Sequence, residues 1–584
     1  MQRRQFLKTL SASAAALSLS PLFRCTSEKR PNVLLILTDD QGWGDISSHN
    51  NPTLSTPNMD RIAAEGARLD RFYVSPVCAP TRASLLTGRY HLRSGVNGVT
   101  RGLETMRSEE VTLAEILKQN GYATGAFGKW HNGAHYPYHP NGQGFDEFIG
   151  FCAGHWNNYF DTPLEHNGQE ITSIGYMVDY LTDMAIQFIE ANRNQPFFCY
   201  VPYNTPHSPF QVPDAYFNKY KEKGLDDTLA CVYGMCENLD DNIGRLLHTL
   251  NAMNIADNTI VIFITDNGPN TDRYNGNMRG RKGSPHEGGS RVPCFIRWPN
   301  GITAGTTIPH ISAHIDMLPT LVELLNVPSP ETLPLDGISL APLLTDPNTD
   351  WPDRPIFGHW GRSGSVRTPQ YRLVVKPSGT ELYDMIADPD ESNNIAKQQV
   401  AVLNRLKSEY EKWYAEVTKN GFDPIPIPIG YDEMPEVILP GHEALLYPEI
   451  GSGISYNGPN GWANDWITNW TRNSSYAYWP IEVVEEGDYE ISLDYICDKQ
   501  HVGVEFVVEI GEKQLQGEII EAHNPPHLPS PDRVERKEVY EKVWRPLTVG
   551  TMHLTPGTSE LRLLALRIPG QQAMDVKAVR VKKL

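Results

Sequence analysis

The chain has 584 residues, of which 40% are hydrophobic and 21% charged. That balance excludes a disordered or collagenous chain. Acidic residues outnumber basic ones 70 to 51, for a formal net charge of -19, so the electrostatic footprint of a nucleic-acid-binding protein is absent. An anion can still be held where lysines, arginines or a cation reverse the local field. Eight cysteines without a Cys-x-x-Cys pair predict neither a disulfide scaffold nor a structural zinc site. At ~150 residues per domain the length predicts three or four units, or one large α/β domain with appendages.

Residues 1–30 read as an export leader. Arg3-Arg4-Gln5-Phe6-Leu7-Lys8 resembles a twin-arginine signal, followed by a Ser/Ala-rich apolar stretch from Leu10 to Leu22. The stretch is shorter than the roughly 20 apolar residues of a membrane span, and no later segment is apolar enough to cross a bilayer. Arg24 stands before Cys25 where a lipid-anchor box carries small residues, which disfavours lipidation. The reading places the protein outside the cytoplasm, periplasmic or extracellular.

Asn32–Thr38 and Thr259–Thr265 are continuous apolar runs of strand length, the pattern of strands buried on both faces. Helical stretches lie between them, including Thr112–Gln119 and Thr182–Asn192. Cys231 and Cys236, five apart in a helical run, point to different faces and read as core. Asp316 marks a helix start. Alternating strands and helices predict an α/β catalytic domain over 31–345 with a mostly parallel sheet. A small α+β subdomain follows over 346–424. It has strands at 371–376 and 381–384 and a helix over Ala396–Val417, with Leu403, Leu406, Tyr410 and Tyr414 on one stripe. The prolines of Asp423–Gly430 make a linker that cannot be helical. From 425 to 584 short alternating strands, at 488–495, 503–510 and 559–567, predict a β-sandwich.

Asp39-Asp40 follows the first apolar run and Asp266-Asn267-Gly268 the second. Sites in open α/β sheets form at the carboxyl ends of strands. Three carboxylates and one amide oxygen there make an all-oxygen site for Ca²⁺ or Mg²⁺. Alone, each pair reads rather as a cap or turn.

Residues 75–90 read Ser75-Pro76-Val77-Cys78-Ala79-Pro80-Thr81-Arg82-Ala83-Ser84-Leu85-Leu86-Thr87-Gly88-Arg89-Tyr90. Here the chain resembles the sulfatases of the alkaline-phosphatase superfamily, whose motif is Cys-x-Pro-Ser/Thr-Arg followed by Ala-Ser-Leu-Leu-Thr-Gly. Gly128-Lys129-Trp130-His131, Pro206-His207-Ser208-Pro209, the block from Lys282 to Glu287-Gly288-Gly289-Ser290-Arg291-Val292-Pro293, and Leu382-Tyr383-Asp384 match further family segments. The resemblance spans about residues 31–420. It implies an alkaline-phosphatase-like mixed, mostly parallel sheet flanked by helices, and a sulfuric ester hydrolase.

The resemblance also implies the roles. Cys78 is converted by a formylglycine-generating system to Cα-formylglycine, whose hydrate supplies the oxygen nucleophile and a second hydroxyl through which sulfate is expelled. Asp39, Asp40, Asp266, Asn267 and residue 78 hold one divalent ion, usually calcium in the family, with magnesium the alternative. Asp266 is a base for the attacking oxygen. Lys129 and Lys282 clamp the sulfate. Arg82 orients the nucleophile, His207 or Lys282 protonates the leaving oxygen, and His131 is the base of the second step. His135 and Arg279, in segments that depart from the family pattern, are expected to contact the sugar.

The implied substrate is a sulfated carbohydrate, a polysaccharide or its oligosaccharides. Five of the twelve tryptophans, at 462, 466, 470, 479 and 544, fall in the C-terminal unit. They would either stack on sugar rings or form the core of a brace, and the brace is favoured. Two rival readings are a phosphoric-ester hydrolase of the same superfamily and a catalytically decayed glycan-binding protein. Cys78 in its Pro-Thr-Arg context and the full residue set oppose them.

Overall fold

The computed structural model describes residues 30–328 and 333–584. The twin arginines, the apolar leader stretch and Cys25 lie outside the described residues. Among the described residues, no helix is long and apolar enough to cross a membrane.

The main sheet has eleven strands. Its centre is four parallel neighbours in the order Thr259–Thr265, Asn32–Thr38, Phe197–Pro202 and Ala123–Lys129. Every residue of the first two is buried. Val33, Leu35 and Leu37 join Ile260, Ile262 and Ile264 in one core, while Leu34 and Ile36 join Val261 and Phe263 in the core on the other face. A strand covered on both faces by helices must be apolar at odd and even positions alike, which is why these runs do not alternate. The sheet is mixed: Cys294–Arg297 runs antiparallel to both its neighbours, and the hairpin Pro163–His166/Gln169–Thr172 ends it.

The helices follow local chemistry. Leu113–Gln119 is opened by Thr112 and Glu115 in a reciprocal capping box. The expected helix over 182–192 is the second half of Met177–Asn192. Cys231 and Cys236 both lie buried on Asp227–Ala252, in two different clusters.

Beyond the main sheet, four antiparallel strands form a meander from Ile356 to Asp384, covered by the helix Val400–Val417. The helix starts four residues later than expected. Asn394 Oδ1 accepts the backbone N–H groups of Leu382 and Ala396, so the chain there is held as a turn against the meander. The buried stripe is Leu406, Tyr410, Trp413 and Val417, rotated from the expected one.

Two further six-stranded sheets form a C-terminal sandwich. Its strands Gly487–Ile496, Val504–Ile510 and Gly557–Arg567 coincide with the three expected alternating segments. The proline-rich stretch is only partly a linker, because Ile427–Ile429 pairs in parallel with Tyr476–Val483. Trp466, Trp470 and Trp479 are buried, whereas Trp462 is 37% exposed. Trp466 and Trp544 stand edge to face at 5.3 Å, with Lys577 over both rings.

The sandwich docks on the main domain through polar contacts. Arg101 stacks on Tyr456 at 4.9 Å and donates to Asn460 O. Gly102 N donates to Glu443 Oε2 at 3.0 Å, and His135 Nε2 donates to Ile438 O at 2.7 Å. Between the two lies a cavity of about 410 Å³ whose wall includes Glu104, His131, Glu443 and Lys577.

Burial pushes the Glu104 carboxyl from its ordinary 4.5 up to about 7. Burial, with Glu104 close by, pushes Glu443 upward too. The docked state therefore retains protons that the separated units would release. Its stability is full below the ordinary carboxyl range and falls as pH rises to and through about 7. Melting temperature measured from pH 5 to 8 should fall more steeply for the wild type than for Glu104→Gln.

Candidate active site

The parallel register sets the site. Thr38 lies opposite Thr265, so the residues that leave these strands, Asp39-Asp40 and Asp266-Asn267, emerge side by side. Asp40 has a left-handed backbone, φ 65°, which Asp tolerates better than most residues. Its N–H donates to Asp266 Oδ1 at 3.1 Å. Lys129 closes the fourth parallel strand, and His207 follows the third. Gly128, at φ 141°, carries no Cβ, which would stand 2.1 Å from Pro202 O. Cys78 is the first residue of the helix Cys78–Thr87 and is 3% exposed.

Lys282 is placed by a loop. Its N–H donates to Pro269 O, and the next N–H, of Gly283, donates to Pro76 O at 2.7 Å, beside the Cys78 turn. A Cβ on Gly268 would stand 2.0 Å from Gly288 O, so the Gly-rich block lets these loops pack backbone to backbone. Glu287 anchors the block. It accepts from Arg372 at 2.6 Å and from Tyr73 OH at 2.8 Å, and its N–H donates to Glu391 Oε2. Burial opposes its ionisation, but Arg372, Arg367 and Arg291 hold its carboxyl down to about 2.

Three buried carboxylates and three cations interleave. Lys129 Nζ donates to Asp39 Oδ2 at 2.6 Å, and Lys282 Nζ lies 2.8 Å from Asp40 Oδ1. Arg82 donates to Asp266 Oδ2 from Nε at 3.1 Å and Nη2 at 2.8 Å, and to Lys129 O from Nη1 at 2.7 Å. Asp39, Asp40, Asp266, Arg82 and Lys129 are all 0% exposed. Burial resists ionisation of Asp39, but Lys129, His207 and Arg82 overcome it and hold the carboxyl far below the usual range. Burial and the neighbouring Asp39 push Asp266 upward, which Arg82 offsets only in part.

The donor set fits a hard divalent cation. Asp39 Oδ1 and Asn267 Oδ1 are buried without a hydrogen-bond partner. Asn267 Nδ2 donates to Asp40 Oδ1 at 2.7 Å, which aims its carbonyl oxygen the other way. Ligand atoms of Asp39, Cys78 and Asp266 lie within 4.8 Å of one another. Uncompensated buried oxygens are expensive, and a cation among them satisfies both the orphan atoms and the raised Asp266. A second cluster, His139, Cys152 and Glu165, is closed on itself. His139 Nε2 donates to Glu165 at 3.1 Å, Cys152 Sγ donates to it at 3.2 Å, and His139 Nδ1 accepts from Asn141 N.

His207 Nε2 lies 3.6 Å from Asp40 Oδ2, with its side chain 12% exposed. His131 donates from Nε2 to Val99 O at 3.1 Å, and its Nδ1 is buried without a partner. Burial and Lys129 hold His131 well below the usual histidine range, so its ring is neutral.

Three of the expected site residues have partners that the sequence does not show. The Arg82 fork is committed to Asp266 and the Lys129 carbonyl, so it acts on the nucleophile's surroundings through Asp266. Arg279 is not brought to the cluster: its Nη1 donates to Tyr383 OH at 2.6 Å, tying the Lys282 loop to the small sheet. His135 is tied to the sandwich at Ile438 O and lines the interdomain cavity together with His131.

The sequence reading missed His155 and Asp45. His155 is 7% exposed, its Nε2 is unpartnered, and its ring lies parallel to His207 at 6.0 Å. Nothing in its local sequence marks it. Asp45 pairs with buried Arg273 at 2.7 Å, and Arg273 also donates to Asp40 O at 2.8 Å. A carboxylate five residues beyond Asp40 was the available signal.

Comparisons with known proteins agree with the fold. The sulfatase family profile matches residues 31–327, and the profile of the N-sulphoglucosamine sulphohydrolase C-terminal region matches 282–416. Human N-acetylgalactosamine-6-sulfatase is 32% identical over 372 residues, covering 57% of this chain and 68% of that protein. Human arylsulfatase A is 32% identical over 419 residues, covering 62% and 77%. The crystal structure of Ps i-CgsB in complex with k-i-k-neocarrahexaose is 31% identical with a TM-score of 0.65, covering 68% of this chain and 95% of that one.

Calorimetric titration with Ca²⁺ and with Mg²⁺ should show one ion per chain. Asp39→Ala and Asp266→Ala should each weaken it by more than about 100-fold, beyond the loss seen when only a ligand's hydrogen-bonding neighbour is removed.

Proposed function

The chain belongs to the sulfatase family and is a sulfuric ester hydrolase, and on that premise we propose that it cleaves sulfate esters of a carbohydrate at a formylglycine made from Cys78. The observation that carries the reading is the convergence of Cys78, Asp39 and Asp266 within 4.8 Å, beside Lys129 and Lys282. A carbohydrate substrate is supported by the relatives named for galactosamine and carrageenan-type sugars.

Formylglycine at position 78, hydrated and beside a divalent ion held by Asp39, Asp40, Asp266 and Asn267, supplies an activated oxygen nucleophile with a second hydroxyl for expelling sulfate. The all-oxygen donor set admits calcium or magnesium, and we take calcium as that ion on the family resemblance, with magnesium the alternative. The remaining chemistry belongs to the chain's own side chains. Lys129 and Lys282, fixed on Asp39 and Asp40, hold the sulfate oxygens and need no reorganisation as charge shifts. Arg82 fixes the orientation of Asp266, which stands beside Cys78 within reach of the proton of the attacking oxygen. His207 stands on the more open side and gives a proton to the departing sugar oxygen, a poor leaving group as an alkoxide. His131 is neutral with a free Nδ1 lone pair, the form a base requires, and accepts the second proton.

The twin-arginine segment supports export to the periplasm or beyond. Because a twin-arginine route carries folded chains, conversion of Cys78 precedes export.

Purified, co-matured protein should release sulfate from one class in a panel of carrageenan, ulvan, fucoidan and glycosaminoglycan fragments. The Cys78→Ala variant should release none. Mass spectrometry of the tryptic Cys78 peptide should show the aldehyde. Phosphate release from phosphoesters without sulfate release would favour the phosphoric-ester reading.

A further inference from the structure

We propose that the C-terminal sandwich completes the active site, with Glu538 as the positioning residue that holds His207 in line with the leaving oxygen. This rests on His207 being the leaving-group acid.

The connection between the sandwich strands Lys513–Ile519 and Arg545–Leu554 spans residues 520–544 and leaves the sandwich to lie along the segment 206–214. Glu538 is 8% exposed, and its Oε1 accepts from the hydroxyl of Ser208, the residue after His207. Gln211 Nε2 donates to Asp532 at 2.7 Å and Ser530 at 3.1 Å. Gln211 Oε1 in turn accepts from the N–H of Tyr159, whose hydroxyl donates to both His207 O and Ser208 O at 3.0 Å. Arg533 Nη1 donates to Val212 O at 2.8 Å. On the other side of the His207 ring, the carbonyl of parallel His155 accepts from Asn464 Nδ2 of the sandwich at 2.8 Å.

His207 sits past the end of its strand, on a loop. Loop residues stay in place only where contacts pin them. A proton donor must reach its acceptor within hydrogen-bond distance, and a 1 Å misplacement can cost about 10²-fold in rate. The pins on this loop come largely from outside the sulfatase-matching region. Glu538 is also an expensive brace: its Oε2 is buried without a partner, and a buried carboxylate served by one hydroxyl is a poor choice for stability alone. The arrangement is explained if the group is retained for what it does to its neighbour, His207.

The test uses the full-length matured enzyme with a sugar sulfate and an aryl sulfate, whose phenolate departs without a proton. His207→Ala sets the scale with a loss concentrated on the sugar ester. Glu538→Ala should lower kcat on the sugar ester at least about tenfold more than on the aryl ester, with KM little changed. Glu538→Gln, which keeps the acceptor oxygen, should recover most of that loss. Ser208→Ala should reproduce it, and the Glu538→Ala/Ser208→Ala double variant should fall no further than the worse single. This cycle decides the matter on the sugar ester alone if the aryl ester is not turned over. Equal losses on both esters with a lowered melting temperature, additive losses in the cycle, or no loss would overturn the proposal while leaving His207 as the acid. An unselective His207→Ala would remove the acid assignment, and the proposal with it.

Discussion

Three carboxylates, Asp39, Asp40 and Asp266, are buried where parallel strands end, and each is matched to one cation. Taking charges out of water costs several kcal/mol per ion unless geometry and hydrogen bonds repay it. Much of the architecture around the site serves that repayment. The parallel register places the carboxylates together. The Cys78 helix delivers Arg82 to Asp266 as well as the nucleophile. The fourth strand delivers Lys129. The small subdomain supports the Lys282 loop through Arg372 and Glu391 on Glu287. The subdomain thus acts on the site without touching it.

The same interleaving explains how an acidic chain handles an anion. The net charge of -19 would repel a sulfate ester at long range. Within the pocket, Arg82, Lys129 and Lys282 offset the three carboxylates, and a divalent ion tips the local field positive. The unpartnered oxygens of Asp39 and Asn267 are where that ion gains most. The contacts of the sandwich fall on the loop of His207 and on the wall of the cavity that His131 lines.

Legibility varied with the range of the interaction. Asn32–Thr38 and Thr259–Thr265 were readable because burial on both faces leaves a continuous apolar run in the chain itself. The Cys78 motif, with Lys129, His131, His207 and Lys282, was readable because the chemistry constrains residue type and order. The start of the helix at Val400 was not, because Asn394 pins the preceding turn to the strand that holds Leu382, a contact no helical periodicity records. The strand Ile427–Ile429 was hidden by its prolines, since its partner lies some fifty residues on. His135 and Arg279 were read as sugar contacts from their place beside the motifs, and nothing in that pattern showed that they also tie units together, at Ile438 O and Tyr383 OH. His155 carried no local signal, because its meaning depends on His207 beside it.

The sequence by itself determined the family, the α/β core, the sandwich and the residue types that meet at the strand ends. Those properties are written in local periodicity and in residue types that the reaction cannot exchange. The tertiary structure alone decided which cation meets which carboxylate, which histidine nitrogen is free, and that the C-terminal unit reaches the His207 loop. These depend on distances between residues hundreds of positions apart, as with Ser208 and Glu538. Such distances are set by packing and register, and no periodicity or motif records them.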